Sequence, residues 1–141
     1  MLLLVLGLLT AHAAHAGVVG WLTAKDRSWN YVQQTGGIRI GQPTTHDGKV
    51  TLPVDYDPTG VTGVTVRPTV MNSGQAVRRI EAKRVTQNRI VLTVVTQVVE
   101  EQSKLGRAHL ADLSAIGSGA YDVFYEDAGA TEKFLGRINI P

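Results

Sequence analysis

The chain contains no cysteine among its 141 residues. That one absence excludes disulfide staples, thiolate metal sites, a cysteine nucleophile and a lipid-modified cysteine anchor. No Asn-x-Ser/Thr sequon occurs, so there is no acceptor for an N-linked glycan. No apolar run approaches the roughly twenty residues that a membrane-spanning helix needs, so no transmembrane segment is predicted. The Gly-x-Ser-x-Gly elbow of hydrolases is missing; Ser118 sits in "IGSGA", without the strand-to-helix context that would expose a nucleophile. No catalytic or cofactor motif is present, and the expectation is a non-enzymatic chain with no cofactor.

What the chain does have begins with Leu2 to Leu9, an apolar stretch of signal-peptide length. Small residues in Ala-x-Ala register follow, Ala11-His12-Ala13 and then Ala14-His15-Ala16. Signal peptidase needs small side chains at those two positions, so residues 1–16 read as a signal peptide cleaved after Ala16, with Ala13 as the second choice. No Lys or Arg precedes Lys25, leaving the α-amino group as the only positive charge ahead of the apolar run. The remaining 17–141 read as a single domain, long enough to bury roughly two thirds of its unfolded surface. An exported chain without cysteines or sequons points to the bacterial periplasm or to secretion.

Period-two alternation runs through this domain. "KVTLPVDY" places Val50, Leu52, Val54 and Tyr56 on one face. "DPTG" then supplies turn chemistry, and "VTVRPTV" alternates again with Val64, Val66 and Val70 inward, at an edge because Pro68 donates no ladder bond. "AVRRIEAKRV" and "RIVLTVVTQVV" flank Thr86-Gln87-Asn88 as one hairpin; "AYDVFYED" and "EKFLGRINI" flank Ala128-Gly129-Ala130 as another. "WNYVQQ" and "GIRI" are weaker strands split by Gly36-Gly37, and "SKLGRAHLADLSAIG" reads as a short helix or loop. About seven to eight strands at this spacing predict an all-β antiparallel sandwich. In "DLSAIGSGAYDVFY", Tyr121 follows a Gly-Ser-Gly turn at the head of an alternating strand. The segment resembles the tyrosine corner of immunoglobulin-like and fibronectin-like sandwiches, in which the hydroxyl bonds upstream backbone. The Cys…Trp…Cys pattern of true immunoglobulin domains is absent, and a fold resemblance licenses no function.

Candidate sites are few. "DYDPTG" lacks the glutamate a calcium loop needs at its twelfth position, where Val66 stands, so it reads as a plain turn. His46 and His109, each near one carboxylate (Asp47 and Asp112), make a metal site only if the fold unites them. Cleavage after Ala13 or Ala14 would put His15 at or beside the new N-terminus. That arrangement resembles the periplasmic copper-carrier sandwiches, which also end in a "G-x-Y-x-V" hairpin similar to "GAYDVFY". The resemblance implies a metal-binding alternative through His15, His46 and His109, although that family's methionine-rich ligands are not visible.

Charge is segregated: Arg78, Arg79, Lys83, Arg84 and Arg89 stand against Glu81 alone, whereas residues 112–132 carry only acidic charge. Such halves could attract an anionic envelope polymer, pair head to tail between copies, or simply be solvated. No aromatics interleave with the basic residues, and nucleic acid is not an expected partner. In "IVLTVVTQVV" both faces are apolar, so the face with Val91 and Val95 needs cover, from the chain itself, a second copy in a homodimer, or a protein partner. Trp21, Trp29 and Tyr31 could stack on sugars or pack in the core. The reading is an exported binding or assembly module of the bacterial periplasm or envelope, with Trp29, Tyr31, Val91, Val95, Arg78 and Arg79 as candidate binding residues.

Overall fold

The computed structural model describes residues 24–99 and 106–141. Its elements are β1 (Lys25–Asp26), helix α1 (Trp29–Gln34), β2 (Ile38–Ile40), β3 (Thr44–His46), β4 (Lys49–Tyr56), β5 (Gln75–Thr86), β6 (Arg89–Val98), β7 (Ala108–Asp112), β8 (Gly119–Glu126) and β9 (Glu132–Ile140). The architecture is all-β. One open sheet runs β1-β6-β8-β9 with β5 also on β6; the other runs β2-β4-β3 with β7 on β4. Among the described residues every pairing is antiparallel except β6 with β8, where Arg89 to Leu92 run parallel to Asp122 to Tyr125. The proposed signal segment 1–16 lies outside the described residues. Among the described residues no helix is long and apolar enough to cross a membrane.

Alternation predicts the inward face of β4 correctly. Leu52, Val54 and Tyr56 of β4, Ile90, Leu92 and Val94 of β6, and Tyr121, Val123 and Tyr125 of β8 join one buried cluster drawn from both sheets. Each such aliphatic side chain contributes about 1.5–3 kcal/mol by leaving water. Both expected hairpins form, β5–β6 and β8–β9. The Tyr121 ring is buried, and its hydroxyl lies 3.2 Å from Gly117 O and 3.3 Å from Ile116 O, the bonding expected of a tyrosine corner. Arg84 closes this corner from below, its guanidinium 5.6 Å from the ring centroid and its Nη1 donating to Ile116 O.

Three expectations are corrected. "WNYVQQ" is not a strand but helix α1. Ser28 is its N-cap and accepts from Tyr31 N–H at 3.2 Å, Asp127 Oδ2 accepts from Trp29 N–H at 2.8 Å, and Gly36 and Gly37 turn the chain away at φ 118° and 80°. "VTVRPTV" is not a strand either. Its amides are claimed by the end of α1: Val64, Thr65 and Val66 N–H all donate to Gly36 O, and Thr69 and Val70 N–H to Gln34 O. With those donors spent, no ladder forms, and Val66 and Val70 are exposed rather than inward. Within "SKLGRAHLADLSAIG", Ala108–Asp112 is strand β7 on β4, while residues 103–105 lie outside the described residues.

Candidate functional site

The connection from β4 to β5, residues 57–74, is long and irregular, a class of segment that commonly carries function. It is pinned along its length. Asp57, buried, accepts from Thr59 N–H at 2.9 Å, Thr59 Oγ1 at 2.5 Å and Thr62 N–H at 2.7 Å, so the Asp-Pro-Thr-Gly turn is locked by its own first residue. Asn72 N–H donates to Thr59 O at 2.7 Å and draws the two ends together. At the crossing, Gly60 has φ 71°, and a Cβ there would stand 1.9 Å from Val70 O. Only glycine admits that approach.

Tyr31 fastens the loop to α1. Its hydroxyl donates to Pro58 O at 3.3 Å and accepts from Asn72 Nδ2 at 3.4 Å. Its ring in turn carries the Arg27 guanidinium, 4.2 Å from the centroid. Arg27 is held by Thr96 Oγ1 at 2.6 Å and Gln75 Oε1 at 2.7 Å, and its carbonyl accepts from the Tyr125 hydroxyl at 2.5 Å. Burial pushes the Tyr125 hydroxyl up to about 12 and raises Tyr56 as well, so both stay neutral, and Tyr125 keeps the proton it donates to Arg27 O.

A loop fixed this firmly nevertheless turns apolar side chains to water. Val61 and Met71 are 67% and 73% exposed, and Val66 and Val70 are exposed beside them. At its foot lies a shallow recess of about 390 Å3 bounded by Asp57, Val61, Thr62, Ser73 and Arg107. Arg107 continues into a second hollow over the outer face of the β2-β4-β7 sheet. There Asp55 receives Arg107 through two bonds, Nε at 2.7 Å and Nη2 at 2.5 Å, and Arg39 Nη2 at 2.9 Å. The Arg107 guanidinium, with Arg39 behind it, lowers the Asp55 carboxyl below its ordinary value.

The residues singled out from sequence are placed as follows. Trp29 is half-buried, its ring 5.6 Å from that of Tyr125, and Tyr31 is the loop anchor just described. Val91 and Val95 are 8% and 1% exposed, so this face of β6 is covered within one chain and the open apolar surface lies elsewhere. Val91 registers between Lys83 of β5 and Phe124 of β8. Arg78 sits exposed at a bulge of β5; Arg79 bonds Glu81 Oε1 at 2.6 Å, Arg89 pairs with Glu132, and Arg84 is spent on backbone carbonyls. Two of the hairpin's cations, Arg79 and Arg89, are thus ion-paired and Arg84 is hydrogen-bonded to backbone, so the stripe is not uniformly bare. His46 is exposed beside Asp47, whereas His109 lies on β7 opposite Val54 and bonds Tyr56 O at 2.9 Å. His46 pairs with Lys49, five residues from Val54 along β4, and a separation of roughly 16 Å follows from strand geometry. The two histidines do not meet, and no group of three potential ligands gathers among the described residues. His15 lies outside those residues.

Sequence reasoning missed Arg39, Val61, Met71, Arg107 and Leu110. The available signal was the spacing itself, since Gly60, Gly63 and Pro68 interrupt the stretch from Asp57 to Gly74 too often for a strand. Compared with protein-family models, curated proteins and solved structures, the chain matches none.

Proposed function

We propose that this chain is an exported, non-catalytic binding or assembly module of the bacterial periplasm or envelope, built on an immunoglobulin-like β-sandwich. The observation that carries the binding reading is the 57–74 loop, rigidly bonded yet presenting Val61, Val66, Val70 and Met71 to solvent. Rigid display of apolar side chains lowers the ordering cost of association, which is what a recognition surface requires. The two open sheets and the Tyr121 corner support the immunoglobulin-like assignment. The Ala-x-Ala register before Gly17 supports export.

Affinity capture from envelope extract of a bacterium expressing the chain tests the loop. The wild type should retain a defined partner that a Val61→Ser, Met71→Ser double variant loses while its melting temperature stays the same. A partner retained equally by both overturns the loop as the surface. N-terminal sequencing tests export, with Gly17 expected as the first residue and an intact Met1 on cytosolic material counting against it.

A further inference from the structure

The hollow over the four-stranded sheet, about 610 Å3, has a layout that follows from strand register. Arg39, Asp55 and Ala108 share one cross-strand row on the outer face; Pro53 and Leu110 share the next. Ala108 is small, and at Gly41 a Cβ would stand only 3.3 Å from Pro53 Cβ, so the absent side chain leaves the proline ring uncovered. Leu110, 64% exposed, forms the opposite wall. The result is an apolar notch beside a charged row.

The charged row is unbalanced. One carboxylate holds two guanidiniums through three hydrogen bonds, for a net charge of +1. Each guanidinium carries five N–H donors, so most of the donors of the pair remain for another acceptor. Asp55 orients them in advance, which removes part of the ordering cost of binding an anion. The two rows lie two residues apart along β4, or roughly 6.7 Å. That is also the spacing of side chains i and i+2 on an extended peptide.

Resting on the reading of the chain as a binding module, we propose that this groove receives an extended acidic segment of a partner protein. A carboxylate at one position meets Arg39 and Arg107, and an aliphatic side chain two residues away lies on Pro53 between Gly41 and Leu110. The apolar notch favours a polypeptide over a polyanionic glycan, which would use the cations and leave the notch empty.

The test uses short fluorescent peptides in which one glutamate and one valine are two residues apart on a Gly-Ser background, read by anisotropy against the intact mature chain. Replacing the glutamate by glutamine should weaken binding roughly tenfold, the scale of a charge-assisted contact. Arg39→Gln should cost about as much on the glutamate peptide and leave the glutamine peptide unchanged. Ala108→Phe fills the notch from an exposed position and should abolish binding with the melting temperature retained, which covers the case of an arginine variant that folds poorly. Moving the valine next to the glutamate should also weaken binding. Equal binding of the glutamate and glutamine peptides overturns the proposal, as does undiminished binding of the glutamate peptide, or of fluorescent dextran sulfate in its place, to the Ala108→Phe variant. Failure of every peptide to bind overturns the groove alone, because capture through the 57–74 loop is read independently.

Discussion

Asp127 ties together parts of the chain that are distant in sequence. Its Oδ2 accepts from Trp29 N–H and its Oδ1 from Gly129 and Thr131 N–H, so one carboxylate fixes both the start of α1 and the β8–β9 turn. The Trp29 bond, then that of Thr131, lowers its pKa. A depressed carboxyl stabilises the fold at pH above the unfolded value of about 4 and loses that contribution as pH falls through the lower folded value. Asp127→Ala should therefore melt below wild type at pH 6, and the gap should narrow toward pH 2; a gap that is constant across a pH series of melting curves would contradict the assignment. Gly60 gives a second test at this scale. Gly60→Ala must both hold φ 71° and displace Val70 O, and should cost about 1–3 kcal/mol in urea titrations. Gly48→Ala shares a positive φ of 75° but meets nothing within 4 Å, so it should cost only about 1 kcal/mol.

At the scale of elements, β6 decides the stability of the larger sheet, because it is paired on both edges and buried on both faces. Val95→Lys would bury an uncompensated charge and should destabilise by about 3–5 kcal/mol, whereas Val85→Lys on the exposed end of β5 should stay within about 0.5 kcal/mol in the same denaturation assay. Part of this was legible in the sequence: β4 and both hairpins follow from alternation and turn residues, which act locally, whereas the Tyr121 hydroxyl's bonding to upstream backbone was anticipated only by resemblance to sandwich corners. Helix α1 and the 57–74 loop were not legible. Val64, Val66 and Val70 alternate as a strand should, but their amides answer to Gln34 and Gly36, some thirty residues away by sequence position, and no period within the segment records that. The candidate site shares the difficulty. Arg39 and Arg107 become neighbours only because β2 and β7 both lie beside Asp55, while Val91 and Val95, which alternation marked for a partner, are covered at home.

For the whole molecule, charge segregated along the sequence is dispersed in space. Arg137 meets Asp122 at 2.9 Å, Arg79 meets Glu81 at 2.6 Å and Arg89 meets Glu132. The Arg137 and Arg79 pairs are exposed and each worth little, and only the Arg89 pair is partly buried, so melting temperature should change by no more than a few degrees between low and high salt, whereas binding of the glutamate peptide should weaken clearly. The parallel contact of β6 with β8 has a kinetic corollary. Each belongs to a hairpin whose arms are close in sequence, and these can zip early; joining them requires the intervening chain to visit the opposite sheet as β7 and return. In pulsed hydrogen exchange during refolding, amides shared by β5 and β6 should gain protection first, and the Asp122 amide, which donates to Asn88 O across the seam, should be among the last. That order would mean that the two hairpins of the larger sheet are assembled separately and welded late.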